Sequence, residues 1–369
     1  MNLDWGHLVA PADAYMGVTP TPPAFADPQL VADLIHADAD CVAIDNVWFI
    51  PHRSLTVVYR VGDDRFVVDY GNAVAVRPMV DDLKLPALPL LLDPLRASEQ
   101  FGADVDVQVL SYLPGERCAV RYRGDGVDVV AKISSNGDTR AGERRQRALF
   151  DLPERGFVMA EPLGVDDHGI RLERADNGKR AEALMPTVSP TDLLAAVQVA
   201  LPFLHAAPFD QRPLLGPTEV ITRMQSKVVP RIAAALPHLA GRLTSICAKL
   251  AATRPCDGAP VAIHGDLHTA NVLFSNSLQP TFIDLDNLAA GDAEYDLAVF
   301  AGRLRLHGLL TGTPTVNPPG YGCPDTDRFR WHLVATLVGR QMKTCVRHLA
   351  PGLAGHCETL LAEAEALCW

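Results

Sequence analysis

The chain has 369 residues, 48% of them hydrophobic and 21% charged, which is the composition of a folded protein with room for two or three domains. Acidic residues outnumber basic ones 44 to 33, and the net charge of −11 excludes the dense positive field needed to coat nucleic acid or an anionic membrane. No run of about 18 apolar residues is present and no secretory pattern opens the chain, so no membrane span is expected and the cytoplasm is the expected location.

In chain order, Pro-rich loops and a short helical pattern over Pro28 to His36 come first. Runs rich in Val, Phe and Tyr follow at Ser54 to Val61, Arg65 to Tyr70 and Ala73 to Arg77, separated by Gly-Asp-Asp and Gly-Asn, and predict an antiparallel meander. The Pro-interrupted stretch Leu85 to Pro94 reads as a linker. Three more strands are expected at Val105 to Tyr112, Cys118 to Arg123 and Val127 to Ile133, joined by Pro-Gly-Glu-Arg and Gly-Asp-Gly turns. A charged amphipathic helix follows over Thr139 to Leu149. From Thr191 the period becomes helical, at Leu193 to His205, Val220 to Leu236 with a break at Pro230, Leu239 to Thr253, Phe329 to His348 and Cys357 to Leu367. Between Val261 and Ala290, two short apolar runs, Val272 to Phe274 and Thr281 to Ile283, flank loops crowded with His, Asp and Asn. The eight cysteines form no C-x-x-C pair, and the grouping Cys345, His348, His356 and Cys357 reads as helix packing and surface rather than a metal site.

The loops hold the chemistry. His264-Gly-Asp-Leu-His-Thr-Ala-Asn-Val-Leu-Phe is followed by Phe282-Ile-Asp-Leu-Asp. Phosphoryl transfer from ATP requires an Asp to orient the attacking hydroxyl and hard oxygen ligands for magnesium from an Asn and a second Asp. Asp266, Asn271 and Asp284 supply those groups on a loop-strand-turn-strand unit.

This pattern resembles the catalytic and metal-binding loops of the protein kinase-like superfamily, in its aminoglycoside phosphotransferase and choline-kinase-like branch. His-Gly-Asp stands where protein kinases carry His-Arg-Asp, and Gly291-Asp-Ala-Glu-Tyr-Asp-Leu-Ala continues the likeness with Ala293 in place of the usual Pro. The resemblance implies Asp266 as the catalytic residue and Asn271 and Asp284 as magnesium ligands, with Asp286 auxiliary. His264, His268 and Asp296 are implied as supports of the catalytic loop, His268 with the alternative of touching substrate.

Lys132, one of six lysines, interrupts the apolar strand Val129-Val-Ala-Lys-Ile and looks like the strand lysine that grips the α- and β-phosphates. Glu143 on the next helix is the candidate for its ion-pair partner. The nucleotide-covering turn Tyr112-Leu-Pro-Gly-Glu-Arg has a single glycine and offers the Gly115 backbone and Arg117 to the phosphates, while a hinge at Glu182-Ala-Leu-Met185-Pro is expected to meet the adenine edge. The implied fold class is α+β: a bilobal protein kinase-like fold with a strand-rich N-lobe over 96–185, a helix-rich C-lobe over 186–369, and an extra N-terminal β-containing cap over 1–95.

The expected activity is ATP- and Mg2+-dependent transfer of the γ-phosphoryl group to a hydroxyl of a small molecule: an aminoglycoside or other antibiotic, a sugar or an amino alcohol. The alternative is a degenerate, nucleotide-binding regulatory protein of the same fold, against which the full set Lys132, Asp266, Asn271 and Asp284 argues. Glu358, Glu363 and Glu365 fit either an attraction for a cationic acceptor or a solvated helix face.

Overall fold

The computed structural model describes residues 24–71, 73–135, 139–152, 157–208, 214–256, 258–313, 326–350 and 352–368. The Pro-rich loops expected before residue 24, and half of the Gly71-Asn72 turn, lie outside them. The described chain forms two compact units, the first of residues 24–76, 181–270 and 288–368, the second of residues 77–180 and 271–287. The chain therefore changes unit at places other than the expected 95 and 185. Residues 77–95 join the second unit, and the segment 271–287 returns to it to complete a sheet.

In the first unit, α1 (Pro28–Ile35) begins at Asp27, whose carboxylate accepts from the Gln29 and Leu30 amides. β1 (Val42–Ile50), β2 (Ser54–Val61), β3 (Asp64–Tyr70) and β4 (Val74–Pro78) form the meander in sequential order. The sheet is tied into its unit by the Tyr59 hydroxyl, which donates to the Phe25 carbonyl at 2.6 Å, and by a His348 ring nitrogen, which donates to the Val47 carbonyl at 2.8 Å.

In the second unit the stretch that reads as a linker contains α2 (Leu88–Leu92). Leu85, Leu88 and Leu91 recur at helical spacing, are at most 1% exposed, and each contributes about 1.5–3 kcal/mol by burial, so packing overrides the proline punctuation. After α3 (Pro94–Phe101) come β5 (Val105–Leu113), β6 (Arg117–Gly124), β7 (Val127–Ser134), α4 (Thr139–Phe150), β8 (Val158–Met159), β9 (Pro162–Val165), β10 (Arg171–Arg174) and β11 (Lys179–Arg180). Five of these strands make an antiparallel sheet in the order β5-β6-β7-β10-β9.

The chain then re-enters the first unit as α5 (Ala181–Leu184), α6 (Pro190–His205), β12 (Leu214–Leu215), α7 (Pro217–Arg223), α8 (Val229–Ala235), α9 (Ala240–Ala252) and β13 (Val261–Ile263). The helix expected over 220–236 is divided earlier than Pro230, by a π turn at Met224–Val228. Pro230 sits in the first turn of α8, where its missing N–H is no loss. The hairpin β14 (Val272–Phe274) and β15 (Pro280–Phe282) belongs to the second unit, in a sheet ordered β11-β14-β15-β8. β16 (Ala289–Gly291) lies between β12 and β13 in the first unit, followed by α10 (Ala293–Thr311), α11 (Asp327–Thr336), α12 (Lys343–Arg347) and α13 (Leu353–Leu367). A second π turn, Leu337–Met342, joins α11 to α12, so the single helix expected over 329–348 is one path with a widened turn. Among the described residues no helix is long and apolar enough to cross a membrane.

Candidate active site

In the second unit, β-strand alternation buries Val129, Ala131 and Ile133 and turns Lys132 to the other face of the sheet. Directly opposite on β10 stands Arg171, a like charge. Glu173, two residues along the same face of β10, reconciles them: one carboxylate oxygen lies 2.8 Å from Lys132 Nζ and the other 3.0 Å from Arg171 Nη2. Arg171 and Glu173 are each 3% exposed, so these charges depend on one another. The carboxylate facing Lys132 is thus Glu173 and not Glu143, which is taken by Arg147 one turn along α4 at 3.2 Å. Sheet register already supplies the partner that a helix was expected to bring. Arg171 also reaches Asp286, 2.5 Å from Nη1 to Oδ1.

The mouth of the β14–β15 hairpin holds the two proposed metal ligands. One step beyond the last ladder pair, the Ile283 amide donates to the Asn271 carbonyl at 3.0 Å, which sets Asn271 beside the residue before Asp284. Asp284 has φ +59, a left-handed conformation that non-glycine residues seldom adopt and that recurs where function over-determines the backbone. Arg117 Nη1 lies 3.2 Å from Asp284 Oδ2. The Asn271 amide oxygen and the Asp284 carboxylate are hard donors that fit Mg2+, which commonly takes one or two protein oxygens and completes its shell with phosphate and water. Among the described residues no group of three His, Cys, Asp or Glu side chains could hold a metal unaided. That includes the Cys345, His348, His356 and Cys357 grouping, where both cysteines are buried and His348 is spent on Val47.

Gly115 has φ +70, which explains the glycine. Its N–H, however, donates to Asp82 Oδ2 at 2.6 Å, and the Tyr112 hydroxyl donates to the same oxygen at 2.7 Å. The backbone group expected to meet phosphate is therefore already committed to Asp82.

In the first unit β13 delivers the chain to His264, which is fully buried, and to Gly265 at φ +77. Asp296, in the first turn of α10 and with no exposed surface, accepts from the His264 amide at 2.6 Å and the Gly265 amide at 3.0 Å. This clamp fixes the backbone just before Asp266. Arg340, on the second π turn, donates from Nη1 to Asp266 Oδ1 at 2.6 Å and from Nη2 to the Gly265 carbonyl at 3.0 Å. Burial alone pushes the Asp266 carboxyl up, yet the Arg340 charge outweighs it and holds the group below the usual carboxylate range, so Asp266 is ionised at neutral pH.

Burial pushes His268 down to about 4, so the ring is neutral at pH 7 and its 3.9 Å approach to Asp266 is not an ion pair. Its Nδ1 accepts from the Ala270 amide at 3.2 Å. Thr269 donates to the Glu182 carboxylate. Met185, in the hinge expected to meet the adenine edge, is buried, and its amide donates to the Ala181 carbonyl at 3.1 Å within the one-turn α5.

Residues 117–308 match the model of a family described as the phosphotransferase enzyme family. No curated protein sequence matches the chain. Among solved structures, a thermostable mutant of the aminoglycoside phosphotransferase APH(4)-Ia aligns with a TM-score of 0.54 at 17% identity, covering 74% of this chain and 98% of the other. Another mutant of that enzyme, in ternary complex with ADP and hygromycin B, aligns at 0.52 and 17%, covering 74% and 97%. A putative aminoglycoside phosphotransferase from Ralstonia eutropha aligns at 0.51 and 14%, with 74% and 97% covered. At such identities the likeness is one of fold, the α+β kinase-like fold with an antiparallel sheet and a helical C-terminal region. The family match spans more than half of the chain, and the chain belongs to the phosphotransferase enzyme family.

Proposed function

We propose that this phosphotransferase uses ATP and Mg2+ to phosphorylate a hydroxyl of a small molecule. The observation that carries the reading is Asp266, a carboxylate kept ionised by Arg340 on a loop clamped by Asp296, five residues before Asn271. An ionised carboxylate is the form that can orient an attacking hydroxyl and accept its proton. One protein of this fold is solved with ADP and hygromycin B, which supports a nucleotide and a hydroxyl-bearing small molecule as the ligand classes.

Each residue then has a defined task. Lys132, oriented by Glu173, neutralises the α- and β-phosphates, and Arg117 is placed at the start of β6 to add a second cation. Asn271 and Asp284 would hold Mg2+, with the second oxygen of Asp286 as a further donor; when bound, the ion offsets the charge of the triphosphate. The acceptor O–H gives its proton to Asp266, its oxygen bonds to the γ-phosphorus, and the bond to the β,γ-bridging oxygen breaks so that ADP leaves with the electron pair.

The test is an ATP-consumption screen of the wild-type chain against aminoglycosides, sugars, amino alcohols and hydroxy acids, alongside calorimetric titration with MgATP. Acceptor-dependent ADP release in wild type, lost in Asp266→Ala while MgATP binding is kept, is the expected result. Absence of MgATP binding would overturn the reading.

A further inference from the structure

The first unit contains a small, partly open cleft of about 50 Å³, room for a group the size of a phosphate or carboxylate. It forms where the two π turns meet: Met224 and Val228 of one and Gly339 and Arg340 of the other line it, and a Cβ on Gly339 would stand 3.4 Å from the Met224 side chain. Widened helical turns are rare and recur at functional sites. Two of them facing one cavity place it where the helices have been opened rather than where they pack best. Arg340 connects this cleft to the catalytic loop, because the same side chain that lines it donates to Asp266.

The polar lining is Arg223, Tyr295, His332, Thr336, Arg340 and Lys343, with no carboxylate among it. The acids behind it are occupied. Asp266 is held by Arg340. Asp292 is taken by Arg328 at 2.6 Å and lies 3.1 Å from His332, and Glu294 stands beside Arg328. Among the described residues, Arg223 and Lys343 have no carboxylate partner. Burial and the surrounding charges of Arg340, Arg347, Arg223 and Arg231 push the Lys343 ammonium down to about 8. A chain of net charge −11 has thus concentrated cations beside its catalytic Asp and left two of them unneutralised. The acids late in the chain that could have drawn a cationic acceptor are spent elsewhere: Glu358 on His238 at 3.0 Å, Glu365 on Arg242 at 2.6 Å, and Glu363 on Arg305.

We propose that this cleft seats the anionic end of the acceptor, a hydroxyl compound bearing a phosphate ester or a carboxylate, with that group on Arg223 and Lys343 and the rest of the molecule reaching past Arg340 so that its hydroxyl meets Asp266. The inference rests on the phosphotransfer reading above. The anionic group is an anchor and takes no part in the transfer; proton, phosphoryl group and leaving ADP move as already written. A polycationic acceptor has no carboxylate here to meet it and faces like charge.

The experiment is calorimetric titration of the full chain with inorganic phosphate, glycerol 3-phosphate, gluconate and hygromycin B, each with and without a non-hydrolysable ATP analogue and Mg2+. The variants are Arg223→Gln, Lys343→Gln, and the charge-retaining Arg223→Lys and Lys343→Arg. Binding of at least one anionic probe is expected, weakened about tenfold or more in each Gln variant, restored in the charge-retaining ones, and stronger at low salt. The responding probe separates phosphate from carboxylate. Nucleotide affinity, expected unchanged throughout, also reports that each variant is folded.

Failure of every anionic probe in a protein that binds nucleotide would overturn the acceptor class and leave the phosphotransfer reading standing. Hygromycin B binding that the Gln substitutions leave unchanged or strengthen would do the same. Anion binding in a protein that fails to bind nucleotide would overturn the acceptor role together with the reading on which it rests.

Discussion

Arg340 and Asp266 lie 74 residues apart in the chain and 2.6 Å apart in space, and the second arm of the same guanidinium holds the Gly265 carbonyl. A planar fork thus fixes both the carboxylate and the backbone that carries it, which an ammonium cannot do. In Arg340→Gln, burial of Asp266 is no longer offset, so its pKa rises. The competent carboxylate form exists above that pKa, so activity is lost at a higher pH as the solution is acidified. Turnover at pH 7 is expected to fall about 10- to 100-fold with little change in the KM for ATP. A kcat profile between pH 4 and 8 checks this, and an acid limb unmoved from wild type would refute the positioning role.

Replacing Asp266 itself by Ala removes the proposed proton acceptor while leaving the second unit intact. Turnover is expected to fall by roughly 10²- to 10⁴-fold, with the Kd for MgATP within about twofold of wild type. Single-turnover kinetics and calorimetry separate the two effects.

What the sequence reveals of this site depends on how far apart in the chain the partners are. His264, Gly265, Asp266, Asn271 and Asp284 lie within one loop-hairpin segment, so their order could be read directly, and the positive φ of Gly265 explains its glycine. Lys132 stood out because it interrupts an otherwise apolar strand. Glu173 did not, because its place beside Lys132 depends on the register of β7 against β10 across some forty residues. Arg340 occupies a helical position that any solvated arginine could fill, and its contact with Asp266 is made across 74 residues of chain. Asp82, 33 residues before Gly115, captures an amide that local turn chemistry leaves open. Leu85, Leu88 and Leu91 show the converse, where burial made a helix of a segment that proline marks as a break.

The Glu173 assignment yields a stability contrast. Glu173→Gln leaves Lys132 and Arg171 facing each other in a buried site, and breaking such a pair costs about 3 kcal/mol or more. Glu143→Gln removes only an i,i+4 pair with a partly exposed Arg147 and should cost about 0.5 kcal/mol or less. Urea unfolding of the two variants measures both. Equal losses, or a larger one for Glu143→Gln, would return the role of lysine partner to the helix.

Lys343 links stability to pH with a sign that can be worked out. Its native pKa, about 8, lies below the ordinary 10.5, so charging it disfavours the folded state. Below pH 8 both states carry the proton and the penalty is complete. Between about 8 and 10.5 the native side chain is already neutral while the unfolded one is still protonated, so wild-type stability climbs with pH. Lys343→Met, which keeps the stem and removes the charge, should therefore raise Tm at pH 7, and its advantage should shrink as the pH is taken toward 10. The same substitution removes a cation from the cleft, so a bound anion, which favours the charged lysine, should stabilise wild type more than the variant at pH 7. A gain in Tm that is the same at pH 7 and pH 10 would show that the cost of Lys343 is one of packing rather than charge.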